Sequence, residues 1–353
     1  PLPPRHLLEA LVERAAGSGK DPSPCARRVP VSHYTGAERF ERERERLFLG
    51  LPQIVAASSQ LAKPGDTLVY DWLGLPLLTL RDHDGRVGTF MNVCRHRGMR
   101  LVADEGCHEL RSLICPYHTW TYGLDGRLRN IPRAESFADI DAADNGLVAL
   151  PTQERHGLVW VLPTPGATLD VDGHLAGLGA DLDAFGLGRA HYFTGSVKRI
   201  ACNWKLIHDA FLDGYHVVRL HRNSVGPFFP DALAESDAVG RHIRSAVARN
   251  EIFDAAGLAP EQLDLRRHAT FSYALFPGSI IIMHPDYTSV ISLFPQSPGE
   301  TIFVHSMLLF EAPADDGARA HFERSFELID RGVFEAEDIH VAAQAQRGFA
   351  SGA

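Results

Sequence analysis

Apolar positions first recur at helical spacing in residues 6–16, where Leu7, Leu8, Leu11 and Val12 mark one face of a short amphipathic helix. The following GSGKDPSPC has turn composition and predicts a loop. A second helix is expected over residues 35–49 (TGAERFERERERLFL), charged and largely exposed, with Thr35 as its N-cap. From about residue 66 the period shortens. DTLVYDW, LPLLTLRD and VGTFMNV are short β-rich runs parted by turn residues. TWTYGLDGRLRN reads as a hairpin turning at Asp125-Gly126, and HGLVWVLP (156–163) as a further strand. Residues 50–165 therefore predict a small all-β domain.

A Gly- and Asp-rich loop is expected over 164–188, and a second unit begins after it. HYFTGSVKRIACNWKL alternates like a strand, and NWKLIHDAFLDGYHVVRLH shifts to helical spacing. Residues 222–265 are mixed and turn-rich. FSYALFPGSIIIMH, TSVISLFPQ and TIFVHSMLLFEA predict three antiparallel strands. The tail is a long helical tract with Phe322, Phe326, Ile329 and Val333 on one face. The second unit is thus α+β, a sheet with helices packed on it. The divisions expected are 1–49, a helical segment packing on the second unit; 50–165; and 166–353.

Composition narrows the class. A chain of 353 residues suits two domains, and 45% hydrophobic content supplies their cores. No run of about 18 apolar residues appears, so no membrane span is expected. The N-terminus lacks the layout of a secretory signal, and Pro rather than Met stands first, as after removal of a leading residue or tag. The formal charge is −9 with no basic run, which argues against nucleic acid as a partner. Five cysteines, an odd count, fit a reducing cytoplasm better than a disulfide framework. Cys25, Cys107 and Cys202 have no partner in spacing and read as ordinary thiols.

Two constellations carry candidate chemistry. Cys94-x-His96 and Cys115-x-x-His118 are two arms separated by 18 residues, each at a strand-to-loop junction and each offering one thiolate and one imidazole. That division suits two irons, one taking both cysteines and the other both histidines, as in a Rieske 2Fe–2S cluster. Gly98 allows a tight turn beside it. A two-Cys two-His zinc site is the alternative. The second constellation is DGYHVVRLH. His216 and His221 are five residues apart, roughly 500° along an ideal helix, so they meet at one metal only if the helix ends or bulges between them. Asp213, three residues before His216, is placed to orient an imidazole. A carboxylate would complete the two-His-one-carboxylate set of non-haem Fe(II) oxygenases, and Asp338 is the first candidate, Glu337 the second.

The stretches NVCRHRGMRL, CPYHTWTYGLDGRL, NWK (203–205), DGYHVVRLH and the Glu337-Asp338 pair with its following Gln346–Gly348 resemble the catalytic α subunit of Rieske non-haem iron oxygenases, the ring-hydroxylating dioxygenase family. The resemblance spans residues of about 35–350. It implies an all-β Rieske domain followed by a helix-grip-like catalytic domain. It implies Cys94, Cys115, His96 and His118 as cluster ligands, and His216, His221 and Asp338 as ligands of a mononuclear Fe(II). It makes Asp213 an acid bridging to the cluster of a neighbouring subunit, hence a homotrimer or a trimer with a small β subunit. Where relatives often carry an acid–Asn pair, this chain has Asp209-Ala210, which alters substrate orientation. Phe211, Gly214, Val217 and Phe334 are candidate pocket residues.

The implied reaction is hydroxylation of an apolar, aromatic substrate with O₂ as co-substrate. Its alternative is monooxygenation or oxidative O- or N-demethylation on the same fold; a third reading is an electron carrier without oxygenase activity. No G-x-G-x-x-G follows a strand, so NAD(P)H is expected to act only through a separate reductase, with or without a ferredoxin.

Overall fold

The computed structural model describes residues 4–17 and 28–352. Of the loop expected over 17–25, residues 18–25, with Cys25, lie outside the described residues. Arg44–His174 forms one compact unit, and the residues on either side of it form a second.

The first unit is built from eleven short strands: β1 (Gln53–Ala57), β2 (Asp66–Tyr70), β3 (Leu77–Arg81), β4 (Val87–Met91), β5 (Gly106–Glu109), β6 (Leu113–Ile114), β7 (Thr121–Tyr122), β8 (Leu128–Asn130), β9 (Ala149–Leu150), β10 (Thr152–Arg155) and β11 (Leu158–Val161). They make antiparallel sheets ordered β1-β11-β10, β5-β2-β3-β4-β9 and β6-β7-β8. The hairpin turning at Asp125-Gly126 is present. Gly126 has φ +76°, and a Cβ there would collide with the Phe90 ring, so both backbone and space require glycine. Val69, Leu78, Leu80 and Phe90 pack with Trp120 and Tyr122 in a core that also contains Cys94 and Cys115.

The second unit holds a seven-stranded antiparallel sheet: β12 (His191–Ile200), β13 (Ala234–Val239), β14 (His242–Ala248), β15 (Ala269–Leu275), β16 (Ser279–Met283), β17 (Tyr287–Ser297) and β18 (Glu300–Leu309). The order is β12-β18-β17-β16-β15-β14-β13. FSYALFPGSIIIMH is two strands rather than one, because Phe276-Pro277-Gly278 turns the chain and Leu275 pairs with Ser279. Two more strands, β13 and β14, come from the turn-rich 222–265.

Other expectations are corrected. The 164–188 stretch is not all loop but contains two short helices, Val171–Leu175 and Gly179–Ala184. Leu175, Leu178 and Leu182 recur at helical spacing and are buried, a signal masked by the Gly and Asp around them. Thr35 closes the short helix Ser32–Thr35, its hydroxyl donating to the Val31 carbonyl, and is not an N-cap; the next helix is Ala37–Glu43. The C-terminal tract is Asp316–Glu327, then a wide-wound π segment Leu328–Ile339, then His340–Ala350. Ile329 and Val333 are buried against the sheet, and Phe322 and Phe326 pack beside them.

Asn203 fixes the start of helix Trp204–Leu212. Its side-chain oxygen accepts from the Lys205 N–H (3.1 Å), and its amide donates to the Tyr34 (3.0 Å) and Pro298 (2.9 Å) carbonyls. Its backbone N–H donates to Gln346 Oε1 (3.0 Å). One buried amide thus ties a helix N-terminus to three other segments. Replacing it with alanine orphans two carbonyls and an N–H. Asn203→Ala is expected to lower the stability of this unit by about 2–3 kcal/mol, read as a lower midpoint in urea unfolding.

Candidate metal centres

Cys94 and His96 sit on the loop after β4, Cys115 and His118 on the loop between β6 and β7. The two loops repeat one backbone pattern. Cys94 N–H donates to the Met99 carbonyl (2.8 Å) and accepts at its own carbonyl from Gly98 N–H (3.0 Å); Cys115 N–H donates to Trp120 (2.9 Å) and accepts from Thr119 N–H (2.9 Å). The fourth residue after each cysteine takes left-handed backbone, Gly98 at φ +73° and Thr119 at φ +56°. Glycine adopts this freely; a β-branched threonine holds it at a cost of about 1–2 kcal/mol, which the surrounding loop must offset.

The His96 and His118 rings lie 4.6 Å apart, His96 stacked on Trp120 (4.9 Å) and His118 on Tyr117 (3.7 Å). Cys94 and Cys115 are buried free thiols, and Cys94 Sγ lies 3.3 Å from the Tyr122 hydroxyl. Burial raises the Cys94 pKa and lowers that of His96, the latter aided by His118 and Arg97. Nδ1 of His96 and of His118 are both buried without a hydrogen-bond partner. Buried polar atoms are rarely left so, and two unpartnered imidazole nitrogens on the same two loops as two buried thiols fit a bound 2Fe–2S cluster.

In the second unit the chain stays helical between the two histidines, and the helix ends at His221 itself. Val217–Leu220 is a single turn, with His216 at one end and His221 (φ −89°, ψ 21°) at the other. The His216 and His221 Nε2 atoms come within 3.1 Å, and Asp338 Oδ1 lies 3.4 Å and 3.2 Å from them. Donors about 2.1 Å from one ion and at right angles sit about 3.0 Å apart, so the triangle fits a facial two-His-one-carboxylate site. Asp338 Oδ1 has no well-formed hydrogen bond. Burial opposes charge on both Asp338 and His221, yet their attraction wins: the carboxyl is held below its usual range and the imidazole above. The site is built for a positive charge at its centre.

Glu337 does not join that triangle. Its Oε2 accepts from His221 Nδ1 (2.7 Å) and from the Ser224 hydroxyl (2.7 Å). Adjacent acids therefore clasp one imidazole from both nitrogens. Asp213 Oδ2 lies 3.7 Å from His216 Nδ1, beyond hydrogen-bond reach, while its Oδ1 accepts from Tyr215 N–H (2.7 Å); the side chain is 49% exposed. The triad opens on a cavity of about 770 Å³ whose wall includes Ala210, Phe211, Gly214, Val217 and Phe334. Phe211 and Phe334 also pack against the core, their rings 5.2 Å apart. Asp209 instead accepts from the Tyr34 hydroxyl (2.7 Å).

The sequence model of the Rieske [2Fe-2S] domain matches residues 52–151, and that of the ring hydroxylating alpha subunit (catalytic domain) matches residues 182–353. The chain belongs to the Rieske non-haem iron oxygenases.

As a Rieske oxygenase it is an oxidoreductase whose cofactors are a 2Fe–2S cluster and a mononuclear iron, with electrons supplied through a separate reductase. It is 28% identical over 336 residues to the carnitine monooxygenase oxygenase subunit of Escherichia coli (strain K12), covering 92% of this chain and 84% of the relative. It is 25% identical over 345 residues to the chloroplastic choline monooxygenase of Spinacia oleracea, covering 93% and 73%. Its fold matches a quaternary ammonium Rieske monooxygenase in complex with L-carnitine (TM-score 0.76, 23% identity, 91% and 84% covered). It also matches naphthalene 1,2-dioxygenase from Rhodococcus sp. (TM-score 0.77, 22% identity, 98% and 86% covered). No helix among the described residues is long and apolar enough to cross a membrane.

From spacing alone Glu337 ranks second to Asp338 as a ligand, because a regular helix points adjacent residues about 100° apart. In this Rieske oxygenase the clasp occurs inside the wide-wound segment, which no spacing rule announces. Glu337→Gln keeps a polar group at His221 but removes the charge that fixes its orientation. It is expected to weaken Fe(II) binding roughly 10–100-fold in metal titrations, with the cluster's visible spectrum unchanged.

Proposed function

We propose that this Rieske oxygenase is a monooxygenase of small polar, methylated ammonium compounds that also carry a carboxylate, with Cys94, Cys115, His96 and His118 holding its cluster and His216, His221 and Asp338 its iron. When bound, the iron supplies O₂ activation and the cluster supplies the electron for it. The chain's residues do the rest. Glu337 and Ser224 fix the His221 ring, and the one-turn helix aims both imidazoles into the cavity. The cavity wall then orients the substrate.

The observation that carries the substrate reading is that wall. Strand pairing sets Ser236, Ser245 and Ser272 side by side across β13, β14 and β15, with Thr270 one step along. All four line the cavity. Ser272 Oγ and Thr270 Oγ1 are buried without a partner. An arene leaves such hydroxyls unpaired at about 1–3 kcal/mol each, whereas a polar substrate satisfies them. Arg249, the next inward position after Val247 on this edge, also lines the cavity. Its nearest ion-pair partner among the described residues is Glu251 at 3.6 Å, and its guanidinium lies 5.8 Å from both the Phe228 and Phe229 rings. That pairing is beyond hydrogen-bond distance, so the guanidinium N–H groups remain available to a carboxylate. The similarity to the carnitine and choline monooxygenases supports the same reading.

An aromatic hydrocarbon, the substrate that the family resemblance implies, is less well supported. Alternation turns Phe271 and Tyr273 away from the cavity to pack on Phe185 (5.4 and 6.3 Å), and turns Thr270 and Ser272 into it.

Turnover with ¹⁸O₂ and a surrogate reductase tests this. Carnitine, γ-butyrobetaine, glycine betaine and choline are compared with benzene and naphthalene. One labelled oxygen atom per turnover of an ammonium compound is expected, and a doubly labelled cis-dihydrodiol from an arene overturns the proposal. Arg249→Gln should raise KM for the carboxylate-bearing compounds about 10–100-fold and leave choline nearly unchanged.

The same proposal includes a homotrimer in which Asp213 serves electron transfer between subunits; its half-exposed carboxylate, 3.7 Å from His216, supports this. Asp213→Asn is expected to leave reduction of the cluster normal in stopped-flow and to slow its reoxidation by O₂ with substrate present at least tenfold. Wild-type reoxidation would remove Asp213 from the path.

A further inference from the structure

A continuous run of buried polar groups crosses the second unit, away from the metal ligands. It starts at the cavity with His284, just after β16. His284 Nε2 lies 3.2 Å from the Ser289 hydroxyl on β17, and that hydroxyl lies 3.0 Å from His305 Nε2 on β18. His305 Nδ1 lies 2.9 Å from Asp330 Oδ1, to which the Ser196 hydroxyl also donates (2.6 Å). Lys198 Nζ donates to Asp330 Oδ2 (2.7 Å) and to Glu335 (2.6 Å), which is exposed. Ser196, Lys198, Asp330 and Glu335 line a depression on the surface. The run therefore joins solvent at one end to the active-site cavity at the other.

Ser289 and His305 are fully buried, beside apolar neighbours such as Ile291 and Leu293. Apolar side chains would fill these positions without the desolvation that a polar run incurs, so its presence calls for a role beyond packing. Its chemistry is that of a relay. A serine hydroxyl between two imidazole nitrogens donates to one and accepts from the other, and can exchange the two roles. Burial lowers the pKa of both histidines, His284 to about 3 with His305, Arg249 and Arg266 adding to the effect, so each neutral ring carries one proton and one lone pair. For Asp330, burial is outweighed by His305, Lys198 and Ser196, which keep it a carboxylate. His284 Nδ1 has no protein partner among the described residues.

We propose that Lys198–Asp330–His305–Ser289–His284 is the route by which protons from solvent reach the active-site cavity. The reaction needs them: RH + O₂ + 2e⁻ + 2H⁺ → ROH + H₂O. The electrons come from the reductase by way of the cluster, and both protons come from water at the surface. Inward transfer starts with each ring carrying its proton on the cavity side, His305 at Nε2 and His284 at Nδ1. Asp330, protonated from the Lys198 end, gives its proton to His305 Nδ1 as His305 Nε2–H passes to Ser289, Ser289 to His284 Nε2, and His284 Nδ1–H to the cavity. Every donor is then left facing the Asp330 carboxylate, and tautomer exchange with rotation of the hydroxyl restores the starting arrangement. Formation of a cis-dihydrodiol or of hydrogen peroxide takes up the same two protons, so the inference stands apart from the choice of substrate.

Ser289→Ala removes one oxygen atom, the sole link between the two rings among the described residues, and Ser289→Thr keeps it. Two readouts on the holoenzyme test the route. In ¹⁵N spectra of the histidine rings, the alanine variant is expected to shift both His284 and His305, and the threonine variant to restore them. In stopped-flow, reduced holoenzyme is mixed with O₂ in H₂O and in D₂O, with and without γ-butyrobetaine, and reoxidation of the cluster is followed. Ser289→Ala is expected to slow it roughly tenfold and change the solvent isotope effect with iron content unchanged, and Ser289→Thr to restore both. If Ser289→Ala reoxidises at the wild-type rate with the wild-type isotope effect, protons enter by another path and the proposal fails. Failure of the ammonium compounds to turn over would leave this result unaffected.

Discussion

The imidazole of His221 is the point on which the catalytic unit depends. It ends a one-turn helix, reaches Asp338 through one nitrogen and Glu337 through the other, and so binds the middle of the chain to its C-terminal helix. Neither partner alone would set the ring. A single hydrogen bond leaves it free to rotate about that bond, whereas contacts at both nitrogens fix its plane. The rest of the site follows from that plane: His216 meets it at the same point, and the cavity opens from there across the sheet.

Much of this was legible in the chain, for identifiable reasons. The Cys-His arms could be read because metal ligation demands particular atoms at fixed spacing, and the two loops realise that spacing with the same backbone pattern. That the helix must end near His221 was legible as a geometric necessity, although the turn between the two histidines is itself unbroken. Less legible was whatever depends on neighbours distant in sequence. Glu337 and Asp338 differ by one position, and only the wide winding of Leu328–Ile339 decides which faces the other histidine. The polar wall lay hidden within runs that read as apolar, since alternation hides Ser272 between Phe271 and Tyr273. The helices of 171–184 were hidden by their Gly and Asp content, although their leucines kept the period.

The sheet of the catalytic unit does two jobs with one face. Its β13–β15 edge offers hydroxyls and a guanidinium to the cavity, and its β17–β18 portion carries the buried serine and histidine. Between them, Ile282 pairs with both Ser272 and Ser289, so the two polar regions are parted by a single apolar position. The two proposed roles, substrate recognition and proton traffic, would thereby run through separate hydrogen-bond systems even though they share strands. Polar groups inside a sheet are stable only when each is satisfied, and here each system has its own way out: a ligand for one, solvent for the other.

The matched loops of the Rieske unit bury their cysteines in the core and leave their histidines only half covered. A cluster held by these four residues would therefore be polarised between an insulated sulfur side and an accessible nitrogen side. Tunnelling falls off steeply with distance, so traffic to and from it would favour the imidazole edges. The histidines that would raise its potential would also serve as its contact terminals, and any change in their hydration or hydrogen bonding would alter driving force and coupling together.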